Sequence, residues 1–191
     1  MDYLSPSSIT RGLWLLFGVY WAVAALTAKK TKRRESVMQR LGYVLPLLAT
    51  FLLLAERGDE RGWLGAYLVP ATRAVEWFGA ALAAAGIGVC FWARWHLGSN
   101  WSGTVTLKEG HELIRSGPYR TIRHPIYTGI LLALVGTAIQ IAQVRGFIAV
   151  GLAFVSFYVK ARREESFLKT EFGDRFAEHA ERTGMFLPRF S

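Results

Sequence analysis

The sequence predicts an all-α integral membrane protein, with five transmembrane helices followed by a C-terminal amphipathic helix. Three observations carry that prediction. Hydrophobic residues make up 52% of the 191 positions and fall in long uncharged blocks, a richer apolar content than an ordinary soluble domain of this size. The 23 Lys and Arg, which give a formal charge of +9, cluster between those blocks, so anionic lipid headgroups rather than nucleic acid are the partner of that charge. From residue 162 onward the pattern changes, with Leu168, Phe172 and Phe176 recurring every fourth position among charged residues.

The uncharged runs cover residues 12–28, 41–55, 77–93, 125–144 and 146–159. A helix crossing the hydrocarbon needs roughly 20 mostly apolar residues, with about 17 as the lower bound. The first, third and fourth runs meet it outright. The second and fifth are shorter but are flanked by long basic side chains, Arg40 and Lys160, that reach the interface. Between the fourth and fifth lie only Gln143, Val144, Arg145 and Gly146, which predicts a tight helical hairpin. The first run is no cleaved leader, because it lacks a basic n-region and ends in Lys29-Lys30-Thr31-Lys32-Arg33-Arg34, a topology determinant.

Small residues repeat at helix-face spacing: Gly79, Ala83 and Gly86 in the third run, Gly129, Ala133 and Gly136 in the fourth. Such faces let helices approach closely in lipid, where packing replaces the hydrophobic effect as the driving force. The tail over 162–181 reads as an amphipathic helix on the membrane face, with Gly173 as a point of bending. No internal repeat or long linker interrupts the chain, so residues 1–191 form one domain, with three spans in 1–93 and the chemistry-bearing half in 94–191.

Orientation follows from the basic residues. The connections 29–40 and 94–124 and the tail from 160 hold 18 of the 23, while the other side holds Arg11, Arg57, Arg61, Arg73 and Arg145. The positive-inside rule then places the N-terminus outside and the C-terminus in the cytoplasm.

The segment 94–124 is the long polar connection on the cytoplasmic side and carries His96, His111 and His124. These have no Cys, Asp or His-x-x-x-His spacing around them, so no metal site is expected. Cys90, the single cysteine, reads as a core residue. Neither Gly-x-Gly-x-x-Gly nor Gly-x-x-x-x-Gly-Lys occurs, and no alternating β pattern is present to mount one. Gly117-Pro118 marks a turn and Pro125 suits the first turn of a helix. Free backbone N–H groups at that helix start, with Arg123, suit a carboxylate. His124 and Tyr127, three apart, share a face of it. The same residues also suit an interfacial belt at the headgroup level, and composition alone does not choose between the two.

A resemblance does. His111-Glu112-Leu113-Ile114, Gly117-Pro118-Tyr119, Arg123-His124-Pro125-Ile126-Tyr127 and Gly129, followed by Glu164-Glu165 and Phe172-Gly173-Asp174, resemble the isoprenylcysteine carboxyl methyltransferase family and, more broadly, the membrane methyltransferases that include phospholipid N-methyltransferases. The similarity runs over residues 98–188. It implies S-adenosylmethionine at the cytoplasmic ends of the last two spans, in a cytoplasmic cofactor-binding loop. His111, Glu112, Leu113, Ile114, Tyr119, His124, Pro125, Ile126 and Tyr127 are implied as its contacts, with Arg123 added. Glu164 matches the family's substrate-side glutamate, and the basic residue that precedes it there corresponds to Lys160, Arg162 or Arg163.

The implied activity is methyl transfer to a lipophilic or prenylated acceptor, a prenylcysteine-like carboxylate first and a phospholipid or small amphiphile amine second. A carboxylate, with an ordinary pKa of about 3.5, is already ionised at neutral pH and needs no base, whereas a protonated amine must first lose a proton. A non-enzymatic membrane carrier or assembly factor is the reading of another class, and it predicts charges buried inside the spans, where the five runs have none. A sterol reductase would need more spans than 191 residues provide.

Overall fold

The computed structural model describes residues 5–26, 31–55, 62–101, 106–108 and 112–190, with backbone alone for 31–34 and 106–108. Helices dominate: α1 (Pro6–Ala25), α2 (Val37–Ala55), α3 (Arg73–Leu97), α4 (Pro125–Ile141), α5 (Val144–Phe172) and α6 (Asp174–Arg182). Two short strands, β1 (Thr31–Arg34) and β2 (Thr106–Lys108), pair antiparallel, with Arg33 opposite Leu107 and a bulge between Thr31 and Arg33. That ribbon corrects the purely helical expectation; strands of four and three residues are too short to leave a period-two signature. It joins the α1–α2 and α3–α4 connections, so both lie at one end of the bundle.

Local chemistry sets the helix limits. Ser5 caps α1, accepting from the Ser8 N–H at 3.2 Å, with Pro6 at the first helical position, so α1 starts before Arg11 rather than after it. Thr72 caps α3 by accepting from the Val75 N–H. At the far end α4 stops at Ala142, which turns left-handed at φ 61° and lets α5 begin at Val144. The expected hairpin is therefore present, and Tyr67 and Gln143 bridge across its tip.

Among the described residues four helices, α1, α2, α3 and α5, are long and apolar enough to cross a membrane. The fourth uncharged run yields a helix of only 17 residues, about 25 Å at 1.5 Å per residue, because the hairpin turn takes its last residues. The fifth run, the short one, becomes the longest helix at 29 residues, because the charged stretch after Val159 continues it without a break. The amphipathic segment expected as one helix over 162–181 is consequently two pieces: the end of α5 and the separate α6. Gly173, at φ 52°, divides them.

The small-residue faces of α3 and α4 meet each other. A Cβ placed on Gly86 would lie 2.5 Å from both the Ala133 nitrogen and the Gly129 oxygen, and one on Gly136 equally close to the Ala83 nitrogen and the Gly79 oxygen. Backbone thus lies against backbone along this pair. On the other side α2 is tied to α5 through Thr50 Oγ1 to the Ala149 carbonyl at 3.1 Å and Ser156 Oγ to the Tyr43 carbonyl at 2.6 Å. Helix α1 leans on α3 through Phe17, Tyr20 and Phe91, and reaches α4 through the Trp14 indole, which donates to Thr137 Oγ1 at 3.0 Å.

Candidate active site

The start of α4 is held by the chain's C-terminal segment. The Arg123 and His124 N–H groups donate to the Gly184 and Met185 carbonyls at 2.8 and 3.1 Å, and Gly184 N–H returns a bond to the Thr121 carbonyl at 3.0 Å. His124, the residue before α4, is thereby fixed with its ring turned toward the last third of α5. The first intrahelical bond of α4 runs from Thr128 N–H to the His124 carbonyl at 3.1 Å, so the N–H groups of Ile126 and Tyr127 have no acceptor within the helix.

Two adjacent glutamates on α5 meet this corner. Glu165 accepts from Arg123 Nε at 2.7 Å and lies 3.3 Å from His124 Nε2. Glu164 lies 3.5 Å from His124 Nδ1 and accepts from the Tyr127 hydroxyl at 2.6 Å. His124, 7% exposed, is therefore gripped between two carboxylates. Burial alone pulls the imidazole's pKa down, but the bonds to Glu164 and Glu165 outweigh it and hold the group above its ordinary value. His124 stacks on Tyr127 at 5.4 Å, and Tyr127 stacks on Phe157 at 4.9 Å. Lys160, one turn before Glu164, places its ammonium 5.2 Å from the Tyr127 ring centre and 5.5 Å from that of Tyr43.

Of these, Arg123, His124, Tyr127, Phe157, Lys160 and Glu164 line a cavity of about 400 Å³. Its polar end is bounded by Asn100, Glu112, His124, Lys160, Glu164 and His179; its other end by Trp14, Phe17, Leu47 and Phe51 from α1 and α2, with Trp21 packed edge-on against Trp101 between the two. Arg115 donates to the Arg175 carbonyl and approaches Glu178 at 3.8 Å, which holds α6 and its residues Phe176 and His179 against the polar end. Burial first, then Arg115 and Arg123, lowers the His179 pKa and favours its neutral form.

Of the residues expected to meet a cofactor, Glu112, Leu113, Ile114, Tyr119, Arg123, His124, Ile126 and Tyr127 all line this cavity. Pro125 is fully buried in the first turn of α4 behind it. His111 falls outside the described residues. Arg123 is at the wall but already engaged, since besides Glu165 it donates to the carbonyls of Ala180, at 3.1 Å, and Thr183. It ties α5 to the C-terminal segment while lining the cavity. Glu164 lines the cavity as expected. Arg162 and Arg163 do not: Arg162 is exposed, and Arg163 turns toward Glu35, at 3.8 Å, and the Tyr43 ring. Helical spacing is the reason, because Lys160 and Glu164, four apart, share the inward face that positions 162 and 163 leave.

In the sequence Glu165 is only half of a Glu-Glu pair, and its bonds to Arg123 and His124 join residues 42 and 41 positions away, beyond any local pattern. The aromatic wall from α1 is, by composition, only part of an apolar span. Its spacing offered one signal, since Trp14, Phe17 and Trp21 follow the i, i+3, i+7 period of a single face.

The profile of the phospholipid methyltransferase family matches residues 75–175, from α3 to the start of α6 and more than half of the chain. Among curated proteins, the cobalt-zinc-cadmium resistance protein CzcN of Cupriavidus metallidurans is 30% identical over 153 residues, 80% of this chain and 65% of that protein. A probable protein-S-isoprenylcysteine O-methyltransferase of Oryza sativa subsp. indica is 35% identical over 85 residues, 44% of each. The chain thus spans less than two thirds of the length of both. The solved structure of the eukaryotic intramembrane Ras methyltransferase ICMT shares the fold, with a TM-score of 0.53 over 100% of this chain and 71% of that one, at 18% identity. With the matched segment carrying the whole inward face of α4 and the paired glutamates of α5, the chain belongs to the phospholipid methyltransferase family.

Proposed function

We propose that this protein transfers a methyl group from S-adenosylmethionine to the carboxylate of a lipophilic, prenylcysteine-like acceptor at the membrane face. The observation that carries the reading is the cavity's division into a polar end around His124 and Glu164 and an aromatic end between α1 and α2. A ligand with a charged head and an apolar tail matches both ends at once. The five helices α1 to α5 cross the bilayer, with the N-terminus outside and the polar end of the cavity on the cytoplasmic side, where the excess of Lys and Arg lies.

The polar end suits the cofactor's chemistry. The aromatic faces of Trp101, Tyr119 and Tyr127 suit a purine and a cation, Glu112 and Glu164 suit its positive groups, and the free N–H groups of Ile126 and Tyr127 suit its carboxylate. When bound, S-adenosylmethionine supplies a methyl group on a positively charged sulfur. Glu164 is held as an acceptor by Tyr127 and His124, which fixes a negative charge beside that end.

Lys160, facing the cavity one turn from Glu164, is the residue that orients an anionic acceptor. An ionised carboxylate needs no base, so what the protein supplies is alignment and exclusion of water. The amine-acceptor reading would place a cationic head beside the Lys160 ammonium, an arrangement of like charges. Relatives named as protein-S-isoprenylcysteine O-methyltransferases support the first reading further.

Membranes holding the protein, incubated with methyl-labelled S-adenosylmethionine and either prenylcysteine or phospholipid, test it. Base-labile label in the prenylcysteine product is expected. Base-stable label on phospholipid, or no transfer, would overturn the carboxylate assignment. Glu164→Gln should slow carboxylate methylation less than the roughly 100-fold expected for loss of a general base.

A further inference from the structure

The apolar end of the cavity has a built floor. Along α4 the lining residues run Ile126, Tyr127, Ile130 and Leu134 and stop one turn short of Thr137. Thr137 accepts the indole N–H of Trp14 at 3.0 Å, so the Trp14 ring crosses from α1 to α4 at the level where the lining ends. Leu134 is 2% exposed. Opposite them Thr50, fully buried, donates to the Pro46 and Ala149 carbonyls at 3.0 and 3.1 Å, which fixes the α2 side of the same level to α5. Two polar side chains, each satisfied by a named partner, thus hold the deep end in place.

The depth above that floor can be read from the helix. His124 to Leu134 is ten residues along α4, or about 15 Å at 1.5 Å per residue. An extended chain advances about 1.2 Å per bond, as in the 3.3–3.6 Å of a three-bond peptide unit, so this depth takes about a dozen bonds.

We propose that Trp14 and Leu134 are specificity-determining residues, which close the acceptor's tail channel and limit the acceptor to about a dozen bonds from its carboxylate to the end of its tail, roughly the length of a cysteine carrying two isoprene units. The proposal rests on the methyl-transfer reading for the identity of the acceptor, but the length limit is a property of the cavity. A tail one isoprene unit too long must fold back or displace the indole. A mismatch of this kind in an apolar pocket changes affinity by about tenfold or more.

The test uses the full chain in lipid nanodiscs and N-acetyl-S-prenylcysteines with two, three and four isoprene units, read by displacement of the tritiated two-unit compound. The wild type should bind the two-unit compound about tenfold more tightly than the three-unit one. Trp14→Ala and Leu134→Ala should each bring the three-unit compound up to the two-unit level, while Trp14→Phe, which keeps the ring, should preserve the wild-type order. Leu134→Val serves where Leu134→Ala does not fold, and should move the order in the same direction. An unchanged order in folded Trp14→Ala and Leu134→Ala would mean that the tail leaves sideways into lipid, and would overturn the proposal. So would equal binding of the two- and three-unit compounds by the wild type, or no saturable binding of any of them. Displacement needs no methyl transfer: a shifted order without labelled product would sink the methyl-transfer reading and leave the floor standing.

Discussion

The two flanks of α4 are built on opposite terms. Toward α3, glycine and alanine bring backbone against backbone, and a single added methyl at Gly86 or Gly136 has no room. Toward α1 and α2, Trp14, Phe17, Trp21, Leu47 and Phe51 stand the helices off and leave a cavity. In lipid the hydrophobic effect draws no helices together, so side-chain size decides where they touch and where they stay apart. Small residues make the frame, and large aromatic ones make the space.

Gly86→Leu should break that contrast most completely. With backbone atoms of Ala133 and Gly129 2.5 Å from where its Cβ must sit, α3 and α4 have to separate, at a cost of 3 kcal/mol or more, roughly the upper range for overpacking. Loss of the monodisperse peak on size-exclusion chromatography in detergent is the expected result. Gly88→Leu, two residues on and facing open space, should leave that peak in place. Next comes Glu165→Ala, which leaves the Arg123 guanidinium and His124 facing each other without their shared carboxylate. A loss of about 3 kcal/mol is expected from the thermal unfolding midpoint, as for other pairs broken from one side.

On the open flank Phe17→Ala should cost only about 1 kcal/mol, because Phe17 borders a cavity and stacks on Trp21 rather than filling a close-packed core. A drop as large as that of Glu165→Ala would show that the aromatic wall, too, is part of the frame. The smallest effect is a pH dependence. The groups facing His124 are Glu164 and Glu165 from α5, with Tyr127 stacked on it and Arg123 beside it. Its folded pKa is raised, so its contribution is fully present below about 6.5, the ordinary value, and is lost as pH rises through the folded value. Unfolding midpoints should therefore fall on the alkaline side of that range, and Glu165→Gln should flatten the slope.

Much of the frame was legible because membrane helices announce themselves by composition. The five uncharged runs each became a helix, and the two small-residue faces found each other. The helix ends were less legible: the charges that ended the fifth run are strong helix formers, and only Gly173 stops the coil. In the site, residues within one turn of Pro125 were readable because Pro fixes where a helix begins. Lys160 was singled out over Arg162 and Arg163 only by its position on the inward face. Glu165 and the Trp14 floor depend on contacts across 40 to 120 residues, and no local pattern carries such distances.

The Arg123 tie has a consequence for the order in which the protein comes into being. Its guanidinium closes on the carbonyls of Ala180 and Thr183, and the backbone before α4 pairs with Gly184 and Met185. Every apolar helix is synthesised before those acceptors exist. The bundle can insert and pair its glycine faces while the ribosome is still at work, but His124 is not held in place until residues 184 and 185 have been added. Integration into the bilayer and closure of the His124 corner are separated in time, and a chain still short of residue 184 sits in the membrane with that corner open.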